Sequence, residues 1–138
     1  MLSKGRLRGP LDAEKLKTIL VVEDDEDLLE MLVEVMAAAG YEVGWATNGA
    51  GALEEIRRGG VPSLIILDMH MPVMTGAEFL EARMADPDLR KVPVVVMSAH
   101  PVNFSRAAFG IVDVIVKPFS VDAILRVAKT YTGLNLTH

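Results

Sequence analysis

Chemistry-bearing residues stand directly behind apolar runs in this 138-residue chain. Thr18-Ile19-Leu20-Val21-Val22 runs into Glu23-Asp24-Asp25-Glu26-Asp27, and Leu64-Ile65-Ile66-Leu67 runs into Asp68. Ser98 follows the run from Val92 to Met97, and Lys117 follows the run from Ile111 to Val116. Carboxylates brought within a few ångströms of each other repel unless a cation intervenes. An oxygen-only donor set, in a chain without cysteine, suits a hard cation, and Mg2+ is the natural choice. Lysine adds a compact positive charge suited to a phosphoryl oxygen, and serine adds a small hydroxyl. Such a set can hold a phosphoryl group covalently on an aspartate, with the cations offsetting charge in the transition state.

Each residue also has a plainer role. Asp68 can cap a turn by accepting from nearby backbone amides. Asp25, Glu26 and Asp27 read as acids favoured at a helix N-terminus by the macrodipole. A lysine before proline can be a solvated charge, and a serine behind a strand an ordinary loop residue. Only joint placement separates the two readings, and placement depends on the elements between these residues.

The apolar runs are too short for helices and read as strands buried on both faces. Tyr41 to Ala46 alternates as a further strand. Between them lie helical patterns. Leu28, Leu32, Val35, Met36 and Ala39 recur at helical spacing, and Gly40 is a good stop. Asn48 can cap a helix carrying Leu53 and Ile56 that ends at Gly59-Gly60. A third helix carries Phe79, Leu80 and Met84 and is expected to close at Asp86-Pro87. A short, weak helix is expected up to Phe109. Ser120 can cap a last helix with Val121, Ile124, Leu125 and Ala128 on one face. Five βα units in succession predict an α/β fold, a parallel sheet with helices on both faces. The carboxyl ends of parallel strands share one edge, where ligands bind in open α/β sheets. Glu23, Asp24, Asp68, Ser98 and Lys117 all fall there.

Half of the residues are hydrophobic, enough for a real core in one domain. No apolar run approaches a transmembrane length, and residues 1–17 lack the apolar block of a signal peptide. The absence of cysteine excludes disulfides and thiolate chemistry and fits a cytoplasmic setting. Net charge is −5, with +3 on residues 1–17 and −8 on the rest. A body that acidic argues against direct nucleic-acid binding. Residues 1–17 read as a flexible basic tail, 18–131 as the domain and 132–138 as a C-terminal tail.

Taken together, the motifs resemble a bacterial response-regulator receiver domain, the phospho-acceptor half of two-component signalling. The resemblance rests on Ile19-Leu20-Val21-Val22-Glu23-Asp24, Ala46-Thr47-Asn48-Gly49, Leu67-Asp68-Met69-His70-Met71-Pro72 with Met74 and Gly76, Met97-Ser98-Ala99, and Val116-Lys117-Pro118-Phe119. It implies a flavodoxin-like five-stranded parallel sheet of order 2-1-3-4-5, for which a receiver of this kind is itself a standing example. It implies Asp68 as the phosphorylated residue. It also implies Mg2+ held by Asp24, Asp68, Glu23 through water, and the backbone carbonyl of His70. Ser98 would bond the phosphoryl group, Lys117 would pair with it, and the Lys117-Pro118 bond would be cis. The implied partners are a histidine kinase or phosphotransfer protein and a downstream protein target. A monomer or weak dimer, with no membrane and no catalytic turnover of an external substrate, completes the expectation.

Departures from the family pattern qualify the output. Val114 stands where receivers usually carry an aromatic that swings inward on activation. The interval from Ser98 to Gly110 is short by on the order of three residues, about one helical turn. These two features leave open a pseudo-receiver acting as a constitutive interaction module. His70 and His100 stand two residues behind Asp68 and Ser98, either flanking the phosphoryl group or as solvated loop residues. An aspartyl-phosphate phosphatase of the haloacid-dehalogenase kind wants a second acid where His70 stands. A flavodoxin wants a Ser/Thr/Gly-rich phosphate loop behind the first strand, and none is present.

Overall fold

The apolar runs form five parallel strands: β1 (Thr18–Val22), β2 (Glu42–Ala46), β3 (Leu64–Asp68), β4 (Val94–Ser98) and β5 (Ile111–Val116). Their order across the sheet is β2-β1-β3-β4-β5. This computed structural model describes residues 17–71, 73–99 and 109–133. The expected tails, apart from Lys17, Thr132 and Gly133, and most of the short helix up to Phe109 therefore lie outside the described residues, as does His100. The central strands β3 and β4 are buried along their whole length, as expected of parallel strands covered on both faces.

Four described helices cover the sheet: α1 (Glu26–Ala38), α2 (Gly49–Gly59), α3 (Gly76–Met84) and α4 (Val121–Thr132). Ile19, Val21, Ile66, Val95 and Met97 face a core shared with Leu32 and Met36 of α1 and Ile124 and Ala128 of α4. Leu20, Val22, Ile65, Leu67 and Val96 face a second core with Ala52 of α2 and Phe79 and Leu80 of α3. This split follows from the period of two along a strand. Every described helix begins on a side-chain cap, satisfying amides that otherwise have no partner. Asp25, Asn48 and Ser120 accept from Leu28, Gly51 and Ala123 at 3.1, 2.8 and 3.1 Å. Thr75 and Glu78 form a reciprocal capping box at the start of α3.

Several boundaries differ from the expectation. The fourth strand starts at Val94 rather than Val92. A 3-10 turn, Leu89–Lys91, precedes it, and Val92 closes that turn by donating to the Leu89 carbonyl at 3.0 Å. Pro93 has no N–H for the ladder, but its carbonyl accepts from Ile65 at 3.0 Å. The third helix stops at Met84, and Asp86 instead caps the 3-10 turn through the amides of Asp88 and Leu89. On α1 the buried stripe is Leu29, Leu32 and Met36, while Leu28, Val35 and Ala39 are half-buried at its margin. On α4 Val121 is exposed, and Thr132 takes a buried place. A bulge between β4 and β5 pairs Val94 with Ile111 but Val95 with Asp113, leaving Val112 unmatched.

Candidate phospho-acceptor site

Asp68 is the last residue of β3 and is 3 % exposed. Both roles weighed for it are present. Its Oδ1 accepts from the backbone N–H of His70 at 3.1 Å, a turn cap, and lies 3.6 Å from Lys117 Nζ. Glu23 directly follows β1 and is buried. Its backbone continues the ladder by donating to the Ala46 carbonyl at 3.0 Å. Its Oε2 accepts from the Asp25 amide at 3.1 Å, and its Oε1 accepts from Lys117 Nζ at 3.0 Å. Lys117 is thus no solvated turn charge: it bridges two buried carboxylates from strands one and three. Its own backbone is pinned by donating to the Ser98 carbonyl at 2.9 Å, and the Lys117-Pro118 bond is cis, as expected.

Asp24 is exposed beside Glu23, and carboxylate oxygens of Glu23, Asp24 and Asp68 lie within 4.8 Å of one another. With all four groups ionised, these acids and Lys117 would carry a net −2, which suits a divalent cation. The donor set is oxygen alone, and Asp24 leaves one side open to water, as a small hard cation requires. The three acids can therefore hold a metal. Ser98 ends β4 and is buried at the same edge. His70 lies on the loop behind Asp68 with its side chain exposed.

Burial pushes the Glu23 carboxyl up to about 7; the hydrogen bonds from Lys117 and Asp25 oppose that shift, and the Asp68 charge adds to it. Burial pulls the Lys117 ammonium down, but its contacts with Glu23 and Asp68 outweigh this and hold it above the ordinary lysine range. Lys117 therefore stays charged near neutral pH, while Glu23 sits near its midpoint until a further cation arrives.

The loop behind Asp68 is held by close backbone approach. A Cβ on Gly76 would stand 2.8 Å from the Met69 Cα, so only glycine lets α3 begin directly behind the acceptor strand. A Cβ on Gly49 would stand 2.6 Å from Met74 Cγ, and the Gly49 amide donates to the Met74 carbonyl at 3.1 Å. The Asn48-Gly49 corner thereby buttresses the acceptor loop, a role that neither residue type announces. Val73, in the same loop, holds a positive φ of 68°, an uncommon state for a β-branched residue. Val114 is half-buried and packs on the second core.

Response regulator receiver domain is the family description that matches, over residues 19–129. The chain belongs to that family. It is 30% identical over 120 residues to the polar-differentiation response regulator DivK of Brucella anthropi, covering 85% of this chain and 97% of the relative. The chemotaxis response regulator CheY4 of Vibrio cholerae superposes with a TM-score of 0.76 at 29% identity, covering 84% and 98% of the two chains. The receiver domain of the sensor histidine kinase PA1611 from Pseudomonas aeruginosa shares the fold with a TM-score of 0.76 at 24% identity, over 86% and 99%. That structure holds a magnesium ion in its own active-site cleft.

Proposed function

We propose that this receiver domain accepts a phosphoryl group on Asp68 from a histidine kinase or phosphotransfer protein, in a Mg2+-dependent reaction. The result is passed to a downstream protein target by a change of shape. The observation that carries the reading is the contact of a buried strand-end aspartate with Lys117, beside the Glu23–Asp24 pair. A carboxylate oxygen of Asp68 attacks phosphorus, and the bond to the donor histidine nitrogen breaks with its electron pair leaving on the imidazole. Lys117 then exchanges a carboxylate for a phosphoryl oxygen, and the Ser98 hydroxyl donates to another. Asp24, Asp68, Glu23 through water and the His70 backbone carbonyl would hold Mg2+. When bound, the ion neutralises charge on the transferring group.

In this reading the protein is a substrate of its kinase rather than an enzyme with an external substrate, acting in the cytoplasm as a monomer or weak dimer. Among the described residues no helix is long and apolar enough to cross a membrane. Incubation with Mg2+ and acetyl phosphate should add one phosphoryl group to the intact mass, and Asp68→Asn should abolish the addition. A wild type that binds Mg2+ yet stays unmodified would instead support the pseudo-receiver, the reading that Val114 favours.

A further inference from the structure

Strand β2 closes one side of the sheet, and no strand lies beyond it among the described residues. In a parallel ladder each residue turns its N–H and C=O to the same neighbour, and successive residues alternate. The Glu42 amide donates to the Lys17 carbonyl at 2.9 Å, and the Ala46 carbonyl accepts from Glu23 at 3.0 Å. Glu42, Gly44 and Ala46 thus face β1, and Val43 and Trp45 turn their backbone N–H and C=O groups outward. The side chains of these two residues stand on the α1 side of the sheet. Val43 joins the core beneath α1, and Trp45, 42% exposed, lines an open groove of about 430 Å³ with Leu29 and Val33. Glu26, Glu30 and Glu34, all exposed and spaced four apart along α1, form the other wall. None of these three acids has an ion-pair partner among the described residues.

We infer that this edge takes up an extended segment of a partner protein, with lysine or arginine at alternate positions, as a further strand beside β2. An edge strand presents its unpaired amides and carbonyls as a template for such pairing. Val43 and Trp45 supply both kinds of group. Alternate side chains of the added strand point to the α1 side. They recur about every 6.6 Å, against about 6 Å for acids four apart on a helix. Successive basic side chains therefore meet Glu26, Glu30 and Glu34 nearly in step. Arginine fits best, because its stem can lie along the indole of Trp45 while its guanidinium reaches a carboxylate. The backbone bonds supply affinity, and the acidic wall selects the sign of charge. A helical partner would leave the outward amides unpaired, and an acidic segment would meet like charge. None of Asp68, Ser98 and Lys117 lines the groove, so binding here does not require the phosphoryl group.

Trp45 is the only tryptophan, so its fluorescence reports on this groove alone. The probe is a synthetic peptide with arginines at alternate positions and threonines between, titrated into the full, unphosphorylated chain at low salt. Binding should shift Trp45 emission, and Glu30→Lys/Glu34→Lys should weaken it about tenfold. Glu81→Lys/Asp88→Lys changes the net charge equally, on exposed acids outside the groove, and should weaken it less than about twofold. N-methylation of one alternate set of peptide amides should abolish binding, and methylation of the other set should be tolerated, since one set alone faces β2. Equal losses from the two charge-reversal variants would show unspecific attraction and overturn the inference. So would equal responses to the two methylated peptides, or no binding at all. Emission that changes with protein concentration alone would put a second copy on this edge and refute it too.

Discussion

Two cations, one half-buried and one buried, meet opposite company in this domain. Lys117, at the carboxyl edge, is held by the carboxylates of Glu23 and Asp68. Arg83, on α3 and 1% exposed, has no carboxylate partner among the described residues. Its guanidinium donates to the carbonyls of Phe109 at 2.6 Å, Arg90 at 3.1 Å and Val92. Burial pulls the Arg83 pKa down, but a guanidinium stays protonated in proteins. Gly110, at φ 68°, lies where a Cβ would approach the Arg83 Nη2 to 3.3 Å. A lysine between carboxylates can trade one oxygen for another, so its contacts are available to chemistry. An arginine that closes backbone carbonyls has no such freedom, and it ties the ends of three segments together. Burial of charge alone therefore does not mark a reactive site; the kind of counter-group does.

The largest expected effect tests the structural cation. Arg83→Met keeps much of the stem but orphans three carbonyls, and should cost about 3 kcal/mol, near 1 per lost bond. That corresponds to a fall in Tm of roughly 10 °C, read by thermal unfolding. The folded fraction should still accept phosphate from acetyl phosphate. If stability were unchanged and phosphorylation lost, the roles of the two cations would be reversed.

A pH series probes the other side of the comparison. Glu23 is raised to about 7 when folded and titrates in the ordinary carboxylate range when unfolded. Between those limits the folded state binds more protons, so rising pH removes stability, on the order of 2–3 kcal/mol from this group. Excess Mg2+ favours the charged carboxylate and should flatten the slope, as should Glu23→Gln. Thermal melts across this window should show the metal-free wild type alone with the full decline.

Lys117→Met has the smallest expected effect on stability, within about 1 kcal/mol, because the partly protonated Glu23 can take up a proton when its partner leaves. Its effect belongs to the chemistry. Phosphorylation of Asp68 should slow by roughly ten- to a hundredfold as transition-state charge loses a counter-ion. Intact-mass time courses on matched folded protein would measure it, and an unchanged rate would remove Lys117 from the site.

Much of this domain was legible in local pattern. Apolar runs of strand length, Asn48 and Ser120 as caps, and Gly60 as a stop each act over a few residues, and the structure agrees with them. The acceptor edge followed because five parallel strands must end together. The boundary errors have local causes too: Pro93 kept its place in an apolar run but could not donate to the ladder, and Asp86 capped a turn that periodicity does not reveal. Thr75-Gly76-Ala77-Glu78 did announce its capping box and could have been read.

The sequence by itself determined the fold class, the order of elements and which residue types reach the carboxyl edge, because each depends on near neighbours along the chain. Tertiary structure decided which of those residues touch. Lys117 meets Glu23 across 94 positions, and Arg83 meets Phe109 across 26. The bulge after Val94 decided where Val114 points, and the edge position of β2 left Trp45 exposed. Those contacts depend on strand order and register, which bring distant segments together and leave no periodic trace in either one.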